Sequence, residues 1–579
     1  MSKSVATNPK SPNELMYAFC LRFFSEIQAL GVTDVIVSPG SRSTPLTLSA
    51  QAVGFDISVH LDERVAGFHA LGSAKVTGIP VVLICSSGTA AANYHPAVIE
   101  ANHAQVPMII CTADRPPELR QWGAGQTIDQ VGIYRENVRW GWDLPVVSEI
   151  DQNLARSTAL RAWSMATAHP LGPVHLNWPL REPLEPSREL EPPEPILTLA
   201  SSPPKKVNGD PLLSNLSRKY ERGLIVVGPN DYRDEDIEAV LNFSSDSGWP
   251  ILADPCSQVR GNHNYMQAPI ITSGEILLAS DGFTSQLAAV DVVVHIGLSV
   301  TSKAYHLWKQ KYPPSRFVLV SPGTDWADPL HGVTDVIHGA PRETFRSFQH
   351  GRGIKTDWCQ LWAKYDTLAK ETIRIHVEAG NCELSVIAQV LSCLPNKTTL
   401  VLSNSMIVRD AELAFQESGK DITVISNRGA NGIDGVISTA IGAASSAEGP
   451  CLLLIGDIAA VHDINGLLAA GRLQSDLVII VVDNGGGAIF SFLPIAQKVD
   501  NRTFTDLFTV PHGTSLHQIG EAAGLSTATI ESLPEIEQHL EQAFDSGGPW
   551  LFCFQTTVDE TVASFSAIRS DFESSVLGR

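Results

Sequence analysis

Two short apolar runs, Cys451-Leu452-Leu453-Leu454-Ile455 and Leu477-Val478-Ile479-Ile480-Val481-Val482, are each stopped by turn residues. Residues 463–472 between them read as a helix, so the segment is expected to be a β-α-β unit. Strands that are apolar at every position are covered on both faces, which is the habit of parallel sheets. The loops at the carboxyl ends of such strands are where α/β sheets bind ligands. Here those loops begin with Gly456-Asp457 and with Asp483-Asn484-Gly485-Gly486. A carboxylate at one strand end and an amide oxygen at the next are hard oxygen ligands, suited to Mg²⁺ shared with a diphosphate. Taken alone, a Gly-Asp pair at a strand end is equally a turn.

Similar runs recur along the chain at 34–37, 81–85, 108–111, 174–177, 224–227, 250–253, 292–296, 317–320, 400–402, 422–425 and 551–554, separated by helix-length stretches. Seven prolines between Pro183 and Pro204 interrupt the pattern and read as a stiff linker. Charged residues thicken around 352–374, as in a helical connector. The expected fold class is α/β, with three doubly wound parallel-sheet domains: 1–182, a Pro-rich linker 183–207, 208–350, a helical connector 351–383, and 384–579. A chain of 579 residues is too long for one core.

The formal charge of -21 argues against nucleic acid and anionic membranes as partners. Nine scattered cysteines, without a Cys-x-x-Cys pair, suit free thiols in a reducing compartment. The first ten residues lack an apolar core and no run of 18 apolar residues occurs, so a cytoplasmic protein is expected. Against this acidic background arginines at strand ends stand out. Arg42 lies in Ser38-Pro39-Gly40-Ser41-Arg42-Ser43-Thr44-Pro45, and Arg115 in Ala113-Asp114-Arg115-Pro116-Pro117-Glu118-Leu119. Arg409 follows Ser403-Asn404-Ser405, and Arg428 lies in Ser426-Asn427-Arg428-Gly429-Ala430. Any one could be a surface ion pair that contributes little. Together they suggest a substrate with several carboxylates, which Arg grips in bidentate fashion.

The Gly-Asp to Asn spacing resembles the metal-diphosphate signature of thiamine-diphosphate enzymes. That resemblance implies thiamine diphosphate and Mg²⁺ as cofactors, with Mn²⁺ as a substitute. Asp457, Asn484 and the Gly486 carbonyl would be the metal ligands. It implies a pyrimidine domain, a central domain and a diphosphate domain. Glu63, in Leu61-Asp62-Glu63-Arg64, becomes the carboxyl that bonds the aminopyrimidine, although at a helix start it could equally favour only the helix dipole. Asn431, Gly432 and Ile433 fall in the loop that would hold and bend the cofactor, with Ile433 as the wedge. In this class the glutamate and the diphosphate site usually belong to different subunits, so a homodimer is the minimum, with a homotetramer open. Ile458 and Asp483 depart from the usual Gly and Asn of the signature.

The combination of the arginine motifs with Asp62-Glu63-Arg64 resembles the 2-succinyl-5-enolpyruvyl-6-hydroxy-3-cyclohexene-1-carboxylate synthase family of menaquinone and phylloquinone biosynthesis. Its reaction joins 2-oxoglutarate to isochorismate with loss of carbon dioxide. The resemblance places substrate contacts at Arg42, Arg115, Gln126, Lys303, Ser405, Arg409, Arg428, Ile489, Phe490 and Leu493. Ala304, Ala459 and Gly125 replace residues that some members use there. Another thiamine-dependent carboligase or decarboxylase, such as acetolactate synthase, is the alternative. The absence of a His-His pair and the number of arginines weigh against it. A silent nucleotide-binding regulator is disfavoured by the joint presence of Glu63, Asp457 and Asn484.

Overall fold

Strands form where the apolar runs predict them, and the chain divides into two compact units, Met1–Pro203 and Pro204–Arg579. The structure is a computed structural model describing residues 11–147, 152–196, 211–262, 268–287, 290–324, 326–345, 356–416 and 419–578. The chain start, linker residues 197–207 and connector residues 351–355 fall outside the described residues.

The first unit holds β1 (Asp34–Val37), β2 (Asp56–Val59), β3 (Val81–Cys85), β4 (Met108–Asp114), β5 (Trp140–Asp143) and β6 (Pro173–Pro179). They form one parallel sheet in the order β2-β1-β3-β4-β6-β5. Successive side chains of β3 enter opposite cores. Val82 and Ile84 join the helix Pro12–Ala29 on one face, while Val81, Leu83 and Cys85 join the helix Glu63–Thr77 on the other. The described part of the Pro-rich stretch runs along the helix Pro12–Ala29. Asn13 donates to the Pro183 and Glu185 carbonyls, and the Tyr17 hydroxyl to that of Leu184.

The second unit contains two sheets. Strands β7 (Gly223–Val227), β8 (Ile251–Ala253), β9 (Ile270–Ile271), β10 (Val292–Ile296), β11 (Arg316–Ser321) and β12 (Asp335–His338) lie in the order β12-β11-β10-β7-β8-β9. Strands β13 (Thr398–Leu402), β14 (Ile422–Ile425), β15 (Cys451–Gly456), β16 (Val478–Asp483), β17 (Ser526–Ile530) and β18 (Trp550–Gln555) lie in the order β14-β13-β15-β16-β18-β17. All are parallel. Position for position, the last sheet repeats the order of the first. In both, the order reverses between the first and third strands, the point at which an open sheet offers a crevice. Arg260, fully buried, ties the middle sheet to the helix Met406–Ala414. It donates to the carbonyls of Ala253, Glu412 and Phe415 and pairs with the Glu412 carboxylate at 3.2 Å.

One local expectation needs correction. The segment after β15 is not a loop followed by a helix from residue 463. It is two helices, Asp457–His462 and Ile464–Leu473, so Asp457 is itself the first helical residue. The break falls at Asp463, whose carboxylate accepts from the Ser438 N–H at 2.7 Å and its hydroxyl at 3.0 Å. Those bonds hold its backbone out of helical geometry.

Candidate active site

In the second unit, Asp457 and Asp483 leave the adjacent strands β15 and β16, and both are buried. His512, on a loop before the helix Leu516–Ala523, places Nε2 3.3 Å from Asp457 Oδ2 and 3.8 Å from Asp483 Oδ1. Ligand atoms of these three residues lie within 4.8 Å of one another. Burial, and then the neighbouring Asp483, push the Asp457 carboxyl above its ordinary range, with His512 acting against them. Two facing carboxylates with little water are a place where a divalent cation lowers the energy, so the donor set fits Mg²⁺.

Asn484 and Gly486 sit at the same strand end. The Asn484 amide Nδ2 donates to Glu383 Oε1 at 2.7 Å, and Oδ1 accepts the Gly486 N–H at 3.2 Å. Gly486 has φ +158, and a Cβ there would lie 2.6 Å from the Thr509 carbonyl oxygen, so this turn requires glycine. The expected ligands Asp457, Asn484 and Gly486 therefore lie on one pair of strand ends. Sequence reading missed His512, Glu383 and Asp410. Asp410 is wholly buried, and burial and the adjacent Glu383 hold its carboxyl well above the usual range. Burial does the same to Glu383, with Asp457 adding to it and the Asn484 amide opposing.

The loops after β13 and β14 bring Arg409 and Arg428 together. Burial, then the charge of Arg428, lowers the Arg409 pKa. Asn404 organises the region: its Nδ2 donates to the carbonyls of Asn427 at 2.8 Å and Gly432 at 2.6 Å, and its Oδ1 accepts from Arg428 at 2.7 Å. Asn404 thus fixes the Asn431-Gly432-Ile433 loop to the arginine pair. Ser405 takes φ +67 immediately before the helix that carries Arg409. The Nε–H of Arg428 is buried without an acceptor, a donor left for an anion.

Ile489 packs against the core of the second unit, Phe490 meets Phe508 edge-on at 5.7 Å, and Leu493 is 40% exposed. They form a partly open apolar turn just past Gly486. Lys303 is exposed at the start of the helix Lys303–Lys311. Glu275 holds that helix start, accepting from the Ser302 hydroxyl at 2.7 Å and the Ala304 N–H at 3.0 Å.

In the first unit, Arg42, Arg115 and Gln126 gather at the carboxyl ends of β1, β3 and β4. Arg42 donates to the Leu180 carbonyl at 3.0 Å and pairs with Glu182 at 2.8 Å, while its Nε–H is buried without an acceptor. Arg115 bonds the Ser87 hydroxyl, and Gln126 donates to the Ser87 carbonyl at 3.0 Å. Burial, then Arg42, lowers the Arg115 pKa. Glu63 is half-buried and opens its helix, with Asp62 capping the Arg64 N–H at 2.8 Å. Burial raises the pKa of the Cys85 thiol at the end of β3, and the Glu63 charge raises it further.

The comparisons with known proteins agree along the chain. Residues 22–133 match the family described as "Thiamine pyrophosphate enzyme, N-terminal TPP binding domain". Residues 204–402 match "Middle domain of thiamine pyrophosphate", and 414–553 match "Thiamine pyrophosphate enzyme, C-terminal TPP binding domain". A benzoylformate decarboxylase from Polynucleobacter necessarius shares the fold with a TM-score of 0.69 at 17% identity, covering 93% of this chain and 98% of its own. A putative thiamin diphosphate-dependent enzyme from Mycobacterium smegmatis gives a TM-score of 0.67 at 17% identity, covering 95% of this chain and 100% of its own. Curated relatives named 2-succinyl-5-enolpyruvyl-6-hydroxy-3-cyclohexene-1-carboxylate synthase are more similar in sequence. The protein of Chloroflexus aurantiacus is 38% identical, with 94% of each chain covered. That of Geobacillus thermodenitrificans is 37% identical with 93% of each covered, and that of Listeria monocytogenes 37% with 96% and 97%. At such identity over nearly the whole length, the chain belongs to the 2-succinyl-5-enolpyruvyl-6-hydroxy-3-cyclohexene-1-carboxylate synthase family of thiamine pyrophosphate enzymes.

Proposed function

We propose that this chain joins 2-oxoglutarate to isochorismate with release of carbon dioxide, in the menaquinone or phylloquinone pathway. The observation that carries this reading is the 38% identity over 94% of the chain to a relative bearing the synthase name. The alternative of a pyruvate-using carboligase is disfavoured by two paired arginine clusters, each with a buried N–H left unsatisfied.

Bound thiamine diphosphate supplies the nucleophilic carbon and the electron sink for decarboxylation. Asp457, Asn484 and the Gly486 carbonyl would hold Mg²⁺, with Asp483 and His512 alongside, and the metal would neutralise the diphosphate. Glu63 holds a proton against the aminopyrimidine nitrogen. Ile433 supports the ring from a loop that Asn404 fixes. Arg409 and Arg428 bind the carboxylate of 2-oxoglutarate that is retained, while its other carboxylate leaves as carbon dioxide. Arg42, Arg115, Gln126 and Lys303 orient isochorismate so that the new carbon–carbon bond forms at its ring alkene. Such fixed placement removes much of the entropic barrier. Ile489, Phe490 and Leu493 exclude water beside the reacting carbons.

The active unit is a homodimer at least. Supporting this, the edge strand β2 leaves Val59 37% exposed and is followed by Leu61 at 81%, next to Glu63, an apolar rim suited to a second copy. Among the described residues no helix is long and apolar enough to cross a membrane.

The test is an assay of the purified chain with thiamine diphosphate, Mg²⁺ and isochorismate, offered either 2-oxoglutarate or pyruvate, following isochorismate loss and carbon dioxide release. Equal consumption of both substrates is expected. Turnover of pyruvate with no isochorismate loss would replace this function with the alternative.

A further inference from the structure

A buried carboxyl pair, Glu383 and Asp410, lies behind the proposed metal site and has no part in the chemistry above. Glu383 is 1% exposed and opens the helix Glu383–Cys393; Asp410 is 0% exposed, on the helix Met406–Ala414. Neither oxygen of Asp410 meets an N–H or hydroxyl donor among the described residues, and its hydrogen-bonding partner is the Glu383 carboxyl beside it. Buried acids are costly, and apolar residues would pack this space at less cost. Glu383 has one directed contact toward the site: Oε1 accepts from Asn484 Nδ2 at 2.7 Å.

We infer that Glu383, backed by Asp410, is a positioning residue that fixes which end of the Asn484 amide faces the metal. An asparagine side chain is nearly symmetric in shape, and only its partners decide where its oxygen points. Glu383 turns Oε1 to Asn484, and an oxygen that accepts there does so whether or not the other oxygen, on the side of Asp410, carries a proton, so it draws the NH₂ of Asn484 toward itself. The oxygen is thereby turned to the other side, where it meets the Gly486 N–H at 3.2 Å, on the turn whose carbonyl is the third proposed ligand. Without Glu383 only the long Gly486 N–H contact on the protein side favours that orientation, and the flipped amide, which presents NH₂ to a cation, becomes more populated. Asp410 completes the arrangement by fixing the Glu383 carboxyl from behind. Partners behind a ligand commonly set metal affinity by about 10–100-fold.

This inference rests on Asn484 being a metal ligand, and the test separates the two. The full-length protein is titrated with Mg²⁺ in the presence of thiamine diphosphate, and cofactor binding is read by quenching of tryptophan fluorescence, with no substrate present. Glu383→Ala is expected to raise the Mg²⁺ concentration for half-saturation about 10–100-fold. Glu383→Gln, which can still accept through its amide oxygen, is expected to stay within about 3-fold of wild type. In an Asn484→Asp background the order reverses: adding Glu383→Gln should tighten Mg²⁺ binding, because a facing carboxylate is replaced by a donor. That comparison decides the matter even where Glu383→Ala does not fold. If Asn484→Ala leaves Mg²⁺ binding unchanged, the metal assignment fails. If Asn484→Ala weakens it but Glu383→Ala does not, or the reversal is absent, the role of Glu383 alone is refuted.

Discussion

Glu63 and Glu63→Gln differ in a single property that matters, since an amide cannot hold a proton against the pyrimidine nitrogen as a carboxyl does. The fold and cofactor affinity should survive, while turnover falls by roughly two to four orders of magnitude. Near wild-type turnover in that variant would remove Glu63 from the reaction. Asp457→Ala acts differently, since it takes one hard ligand from the proposed site for metal and diphosphate. Mg²⁺ and thiamine diphosphate should weaken together in a binding titration, and excess of both should restore only part of the activity. Unchanged affinity for both would relocate the metal site. Asp457 was legible because it directly follows an apolar run, where the strand pattern marks its position, whereas Glu63 follows the half-exposed strand β2 and was legible only through the motif that carries the resemblance. His512, Glu383 and Asp410 were not. They reach the site through a loop and two helices distant in sequence, and a buried polar side chain leaves no periodic trace. Asn404 lies inside the Ser403-Asn404-Ser405 motif, yet its hydrogen bonds to Arg428 and Gly432 exist only in three dimensions and leave no mark on the sequence.

Elements were read unevenly, for physical reasons. Central strands such as β3, β4, β15 and β16 are buried along nearly their whole length, so each opens with an apolar run, and polar residues such as Thr112, Asp114 and Asp483 enter only toward the carboxyl ends. Edge strands β5, β9, β12 and β17 are short or half-exposed and gave no such signal. Placement of the arginines on elements leads to a division of labour. Arg409 and Arg428 leave β13 and β14 beside the diphosphate strands, whereas Arg42 and Arg115 follow β1 and β4. With 2-oxoglutarate alone, Arg428→Ala should slow single-turnover carbon dioxide release by roughly one to two orders of magnitude, the worth of a charge-assisted contact. Arg115→Ala should leave that step nearly unchanged and fail when isochorismate is added. Normal release in Arg428→Ala, with failure only on isochorismate addition, would reverse the division.

At the scale of the whole molecule the two units differ in their response to acid. In the first, burial depresses the pKa of His69 and of His175 to about 3, far below the unfolded value. The folded unit then binds fewer protons than the unfolded chain. Stability from these groups is full above pH ~6.5 and is lost as pH falls below it. Between pH 7.5 and 5.5 the loss comes to about 2–3 kcal/mol for the pair. The second unit also holds a buried histidine, His295, depressed to about 4, but there Glu383 and Asp410 are raised and favour the folded state at lower pH, which opposes it. Hydrogen exchange of β3, β4 and β6 should therefore show reduced protection at pH 5.5 once intrinsic rates are removed. Equal protection at both pH values would mean that those histidines accept protons within the folded unit.

The same scale decides how the active site is assembled. The first and last sheets share one strand order, and each carries half of the proposed machinery, Glu63 on one and Asp457 on the other. If those halves meet across a two-fold interface, two dead variants can repair each other. A mixed dimer of Glu63→Gln with Asp457→Ala has one site that inherits both defects and one that inherits neither. Random pairing on co-expression makes half the dimers mixed, so about a quarter of wild-type activity should return. Each variant expressed alone should remain inactive, and mixing the two purified dimers without subunit exchange should recover nothing. Recovery only after exchange would place Glu63 and Asp457 of one site on different copies. Failure to recover activity, with mixed dimers demonstrated by differential tags, would place both halves of each site on one chain.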